Sequence, residues 1–263
     1  MHLSEIWIYP IKSLTGIQLH QVEVFEKGLQ YDRRWLLVDS NGRFITQRSH
    51  PQMALFRVSL TEDGLLVQYP GYGAISIPFH SPSQERIPVQ VWDDQLEAIL
   101  VNLDLSNWFT EILKQPVQLV SMPTDSKRLV DERYAHNQET VSFADDFPFL
   151  LISQASLDDL NSRMEEPVSM RRFRPNFVVS GFEAFQEDTI QEIRIGDVPF
   201  SIVKPCARCI LTTIDPDTAV RGKEPLFTLA KYRKAGNKVL FGQNLLFRSS
   251  GVVTTNDPIT ILQ

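Results

Sequence analysis

The chain has 263 residues, 43% of them hydrophobic, which suffices for one large domain or two small ones with a packed core. A net charge of −6 excludes a general nucleic-acid or membrane-surface binder, since either needs a dominant basic field. No apolar run approaches the roughly 20 residues needed to cross a bilayer, and MHLSEIWIYPIKSL lacks the basic-then-apolar order of a signal peptide, so a soluble, cytoplasmic chain is expected.

From residue 1 to about 101 the sequence is a series of short β-type runs: LSEIWIYP, QVEVF, RWLLVD, RFITQ, ALFRVSL, GLLVQY, AISIPF and VQVW. Asn41-Gly42 reads as a hairpin turn with both residues at positive φ. Residues 104–114 place Leu105, Trp108, Phe109, Ile112 and Leu113 on one helical stripe, with Asp104 as the expected cap. The polar stretch 122–142 reads as a linker or mobile loop. PFLLIS then predicts a buried strand, and Ser153–Met164 a helix in which Ser156 and Asp159 resemble a capping box. FVVSG, EIRIG and VPFSIVKP predict further strands, Pro225–Lys234 a helix with proline at its start, and KVLFG, GVVTT and ITIL the closing strands. The fold class is mainly β with a few helices, the second part plausibly a barrel.

Only two cysteines are present, Cys206 and Cys209, so a disulfide scaffold is excluded and a reducing compartment expected. Two thiols cannot hold an iron–sulfur cluster, which normally takes four. KPCARCILTTIDPDT sets the pair between Lys204 and Arg208, and positive charge favours the thiolate that binds metal or attacks an electrophile. Rival readings stay open on this motif. Half of a zinc site is one, although no partner spacing appears among His2, His20, His50, His80 and His136. A thioredoxin-type pair is another, although ILTTI reads as a strand where that chemistry wants a helix. Structural cysteines are a third.

MRRFRPNF packs Arg171, Arg172 and Arg174 before a strand, YPIKS sets Lys12 and Ser13 after one, and YDRRW sets Arg33 and Arg34 before another. Each cluster alone is most simply a solvated surface. Three at strand edges of an acidic chain point to a local anion pocket between two lobes, because arginine forks match phosphate oxygens. Asp145-Asp146 and Asp215 are candidate acid–base groups or plain loop features. Gly71-Tyr72-Gly73 lacks the third glycine of a dinucleotide fingerprint and reads as a turn.

YPIKS, YDRRW, SLDDLNSR, FRPNF, EIRIGDV, KPCARCILTTIDPDT, Lys223-Glu224-Pro225 and FGQN, in that order, resemble the MOSC family, in the branch of the mitochondrial amidoxime-reducing components and their bacterial relatives. The resemblance implies an N-terminal β-barrel-like MOSC domain over 1–120 and a MOSC domain over 121–263. It also implies a pyranopterin molybdenum cofactor held between them, with Cys209 as the metal ligand and catalytic residue. Lys12, Ser13, Arg33, Arg174 and Asn176 match the cofactor contacts, the basic ones facing the phosphate. The implied activity is reduction of N-hydroxylated compounds such as amidoximes and hydroxylamines, with electrons from a separate flavin or iron–sulfur protein, since no cysteine follows 209 where bacterial relatives add a ferredoxin domain. No counterpart of the mitochondrial relatives' targeting and membrane segment is expected. The alternative the resemblance leaves is a sulfur or cofactor carrier using a persulfide on Cys209.

Overall fold

The alternation of QVEVF is realised as the strand Gln21–Phe25, whose residues alternate between exposed and buried, while Phe149–Ser153 is buried along its whole length, as its unbroken apolar run requires. A computed structural model describes residues 1–262. It is mostly strand, with three α-helices: α1 (Leu103–Leu113), α2 (Gln154–Ser162) and α3 (Leu226–Tyr232).

The largest sheet runs, in spatial order, through Ile259–Ile261, Glu192–Ile195, Val198–Arg208, Lys238–Phe247, Phe149–Ser153, Phe177–Ser180, His2–Ile8 and Ile17–Leu19. Phe149–Ser153 and Phe177–Ser180 pair in parallel, with α2 in the crossover between them. A four-stranded sheet orders Trp35–Asp39, Val117–Ser121, Asp94–Leu100 and Arg86–Val91, and two three-stranded sheets complete the molecule. The first strand of the chain thus belongs to the sheet built mainly by the second half. Leu3, Ile6 and Ile8 are fully buried there, each contributing roughly 1.5–3 kcal/mol by burial.

Several local expectations are corrected. At Asn41-Gly42 only Gly42 takes positive φ, at 74°. The Gly42 amide bonds to the Asp39 carbonyl at 3.0 Å, and the Asp39 carboxylate accepts from the Asn41 and Arg43 amides, giving a turn one residue longer than a two-residue hairpin. A β-carbon on Gly42 would lie 2.4 Å from the Pro88 carbonyl oxygen. RFITQ forms only isolated bridges, at Arg43 and Phe44. Asn102 rather than Asp104 caps α1, accepting from the Asp104 and Leu105 amides, and Ser153 rather than Ser156 caps α2. ILTTI is a 3₁₀ turn over Ile210–Thr213, not a strand.

Two strands of five or more residues escape the periodicity argument, as do the short pieces Ile17–Leu19, Gly28–Leu29 and Lys234–Ala235. In Asp94–Leu100 only Ala98 and Leu100 are buried, so polar residues mask it. Val117–Ser121 follows α1 so closely that its apolar residues extend the helical run. The segment 122–142 is packed rather than a plain linker. Arg128, 7% exposed, donates to the Ser142, Ala144 and Asp145 carbonyls and pairs with Asp94, while Leu129 bridges to Thr140.

Candidate functional site

The chain leaves its first strand at Tyr9 and turns under the strand Trp35–Asp39: the Lys12 amide bonds to the Trp35 carbonyl and the Trp35 amide to the Pro10 carbonyl. Ser13 takes φ 67° in this turn, and Lys12 is carried inside, 5% exposed. The Lys12 ammonium donates to the Phe143 carbonyl at 2.6 Å and to Asp145 Oδ1 at 2.5 Å. Burial pulls the Lys12 pKa down to about 8 against the opposing pull of Asp145. Partial desolvation works to raise the half-exposed Asp145 carboxyl, yet Lys12, helped by Arg48 and the Trp92 indole, holds it below the usual carboxylate range.

Asp32, fully buried, accepts from the Tyr9 amide at 2.7 Å and from Arg33 Nη1 at 2.5 Å. Arg33 and Arg174, both at positive φ, lie over the same Tyr9 ring at 4.4 and 4.1 Å. Arg174 donates to the Leu14 carbonyl, and Arg33 to the Arg174 carbonyl and Asn176 Oδ1. Burial lowers the Arg174 pKa from its ordinary value, and Arg33 pushes the same way. Asn176 also accepts from the Leu150 amide and donates to the Trp7 carbonyl, clamping three segments beneath Arg33.

The thiols are placed by a bulged strand. Val198–Arg208 runs past KPCAR against Lys238–Phe247, with irregularities between Ile202 and Lys204 and between Pro205 and Ala207 that bend it. Cys206 packs on an apolar cluster that includes Phe173 and Phe241. Burial raises its pKa and outweighs Arg208, contrary to the expectation that flanking cations would favour its thiolate. Arg208 instead donates to the Phe241 and Phe173 carbonyls, leaving Nη2 buried without a partner, and Lys204 pairs with Asp146 at 3.6 Å. Cys209 lies just beyond the strand and begins the 3₁₀ turn. The cation at its sulfur is Arg48, whose Nη1 is 3.6 Å from Sγ and whose guanidinium stacks on Trp92 at 4.3 Å.

Lys12, Ser13, Arg33, Arg174, Asn176 and Cys209 all line one cavity of about 660 Å³, walled by both halves of the chain. Arg34 is elsewhere, directed at the Met122 sulfur, and Arg171 pairs with Asp217. Asp215 pairs with Arg172 and accepts from the Asp217 and Thr218 amides, so it organises a turn. Arg48 and Trp92 were not singled out by sequence. Trp92 had a signal, an aromatic in the acidic turn VWDD, whereas nothing local marked Arg48.

Eight cationic side chains and three carboxylates line the cavity, so its charge favours a multiply charged anion. A pterin phosphate carries about two negative charges. Lys12, Arg33 and Arg174 in the lining offer it ammonium and guanidinium donors. The thiol of Cys209 supplies the soft ligand a molybdenum centre suits. The residues therefore fit the group. Among the described residues no cluster of three or more His, Cys, Asp or Glu is arranged for a metal ion, so the two cysteines lack partners for a four-coordinate zinc site.

Residues 1–116 match the MOSC N-terminal beta barrel domain and residues 138–260 the MOSC domain. The rat (Rattus norvegicus) mitochondrial amidoxime reducing component 2 is 38% identical over 98% of this chain and 82% of its own length. The chain belongs to the MOSC family. Within this family it is also similar to the human (Homo sapiens) mitochondrial amidoxime-reducing component 1, at 34% identity over 99% of this chain and 82% of that protein. The resemblance stated from the motifs and the β-rich fold class are both borne out by these matches. No helix among the described residues is long and apolar enough to cross a membrane.

Proposed function

We propose that this MOSC protein holds a pyranopterin molybdenum cofactor in the cavity between its halves and reduces N-hydroxylated compounds. The supporting observation is that six residues from four separated motifs, Cys209 among them, line one cationic cavity. Lys12, Arg33 and Arg174 would neutralise the phosphate, Ser13 would approach it from the tight turn, Asn176 would hold Arg33 in place, and Cys209 would ligate the metal. When bound, the cofactor supplies the two-electron chemistry that cleaves the N–O bond. The balance is one N-hydroxyl group, two electrons and two protons giving N–H and water. Two cysteines cannot hold an iron–sulfur cluster, so the electrons come from a flavin or iron–sulfur centre outside these 263 residues. A reducing, cytoplasmic setting keeps both thiols free.

The test is expression in a host that makes the cofactor, with molybdenum measured by mass spectrometry and turnover of benzamidoxime driven by reduced methyl viologen. Cys209→Ala is expected to lose the metal and all turnover, and Cys206→Ala to keep most of both. Metal-free wild-type protein overturns the proposal, and equal loss in the two variants overturns the assignment of Cys209 as the ligand. A persulfide on Cys209 in metal-free protein would move the function to sulfur carriage.

A further inference from the structure

Residues 218–240 carry six cations, Arg221, Lys223, Lys231, Arg233, Lys234 and Lys238, against Glu224 alone, in a chain whose net charge is −6. Arg233 is paired with Asp188, which leaves five of the six without an ion-pair partner among the described residues. The Glu224 carboxylate is turned onto α3, where it accepts from the Thr228 amide and hydroxyl. Among these cations stand three exposed apolar side chains, Ile210 at 46%, Val220 at 65% and Phe227 at 50%. Lys223 and Lys231 both reach over the Phe227 ring, at 4.8 and 4.3 Å.

This face adjoins the cavity. Ile210 follows Cys209, and its 3₁₀ turn packs against α3. Arg221 donates at 2.5 Å to the carbonyl of Arg48, the residue whose guanidinium meets the Cys209 sulfur. The Lys234–Lys238 turn lies beside the thiol-bearing strand, with Val239 opposite Arg208 and Leu240 opposite Ala207, and Lys238 and Leu240 line the cavity.

An apolar centre with a charged rim has the make-up of a transient protein interface. Its sign selects the partner. A carrier of opposite local charge is steered to this face within about a Debye length, roughly 8–10 Å, although the whole chain is acidic. We propose that this face docks an acidic electron-carrier protein and brings its flavin or iron–sulfur centre beside Cys209, a proposal that rests on the reductase reading. For each N–O bond cleaved two electrons are delivered, either by one fully reduced flavin or by two reduced [2Fe–2S] carriers docking in turn, and each carrier leaves oxidised.

The experiment uses full-length, cofactor-loaded protein with a flavodoxin and a [2Fe–2S] ferredoxin as acidic probes. Binding is measured by surface plasmon resonance as salt is raised, and turnover is followed with each carrier and with reduced methyl viologen, which needs no docking. Lys223→Glu combined with Lys231→Glu, and separately Phe227→Ser, are expected to weaken carrier binding by about tenfold or more and to flatten its salt dependence, with viologen-driven turnover unchanged. A charge-matched control, Lys114→Glu with Lys127→Glu, is expected to bind like wild type. Unchanged binding in the Lys223/Lys231 variant, equal weakening in the control, or no salt-sensitive binding of either carrier to wild type overturns the proposal. So does a variant that loses only binding to vesicles of anionic phospholipid, which would assign the face to a membrane. Absence of viologen-driven turnover in wild type sinks the reductase reading instead, and the binding curves still decide the docking face.

Discussion

Lys12 sits between the Phe143 carbonyl and the Asp145 carboxylate with 5% of its surface exposed, and burial brings its pKa from 10.5 to about 8. A lysine whose folded pKa is lowered binds fewer protons in the native state between those two values, so stability rises as pH climbs from about 8 to 10.5. Compared with Lys12→Met in urea unfolding, wild type is expected to gain roughly 1–3 kcal/mol over that window. A difference that stays flat with pH would show that the ammonium is not held charged against burial. Lys12, Ser13, Arg33, Arg174, Asn176 and Cys209 were legible because short motifs mark them. Arg48 was not, because its contact with Cys209 spans 161 positions and exists only once the halves meet.

Helix and turn ends show what local chemistry can and cannot assign. The apolar stripe of α1 was plain, but its start held two candidate caps two residues apart, Asn102 and Asp104. Asn102 has extended backbone (φ −170°, ψ 141°), which lets its side-chain oxygen reach the next two amides, whereas Asp104 already lies in the first turn. Asn102→Ala is expected to cost about 1 kcal/mol, read as a lowered melting temperature, and Asp104→Ala clearly less; the reverse order would return the cap to Asp104. ILTTI has the β-branched composition of a strand, yet it folds as a 3₁₀ turn whose Thr212 and Thr213 hydroxyls bond back to the Cys209 and Ile210 carbonyls. That side-chain bonding is what propensity alone does not count.

Across the whole molecule the two halves are not built separately. His2–Ile8 lies between Phe177–Ser180 and Ile17–Leu19, so the second half's largest sheet is completed by the first seven-residue strand of the chain. A fragment of residues 122–263 would lack that strand and expose the apolar residues packed on Leu3, Ile6 and Ile8. It is expected to be unfolded or aggregated by circular dichroism and gel filtration, and to recover native signal when mixed with residues 1–121; a monomeric, cooperatively folding fragment would overturn this. Sequence by itself settled the β-rich class, the three helices, the acidic chain with separate basic clusters, and the motif order that marks the family, because each is written in short-range pattern and composition. Tertiary structure alone decided which cations share the Cys209 cavity, that Arg48 meets the sulfur, and that burial raises the Cys206 thiol. Charge and dielectric act through space, and the distances that govern them are set by which strands pair rather than by where residues stand along the chain.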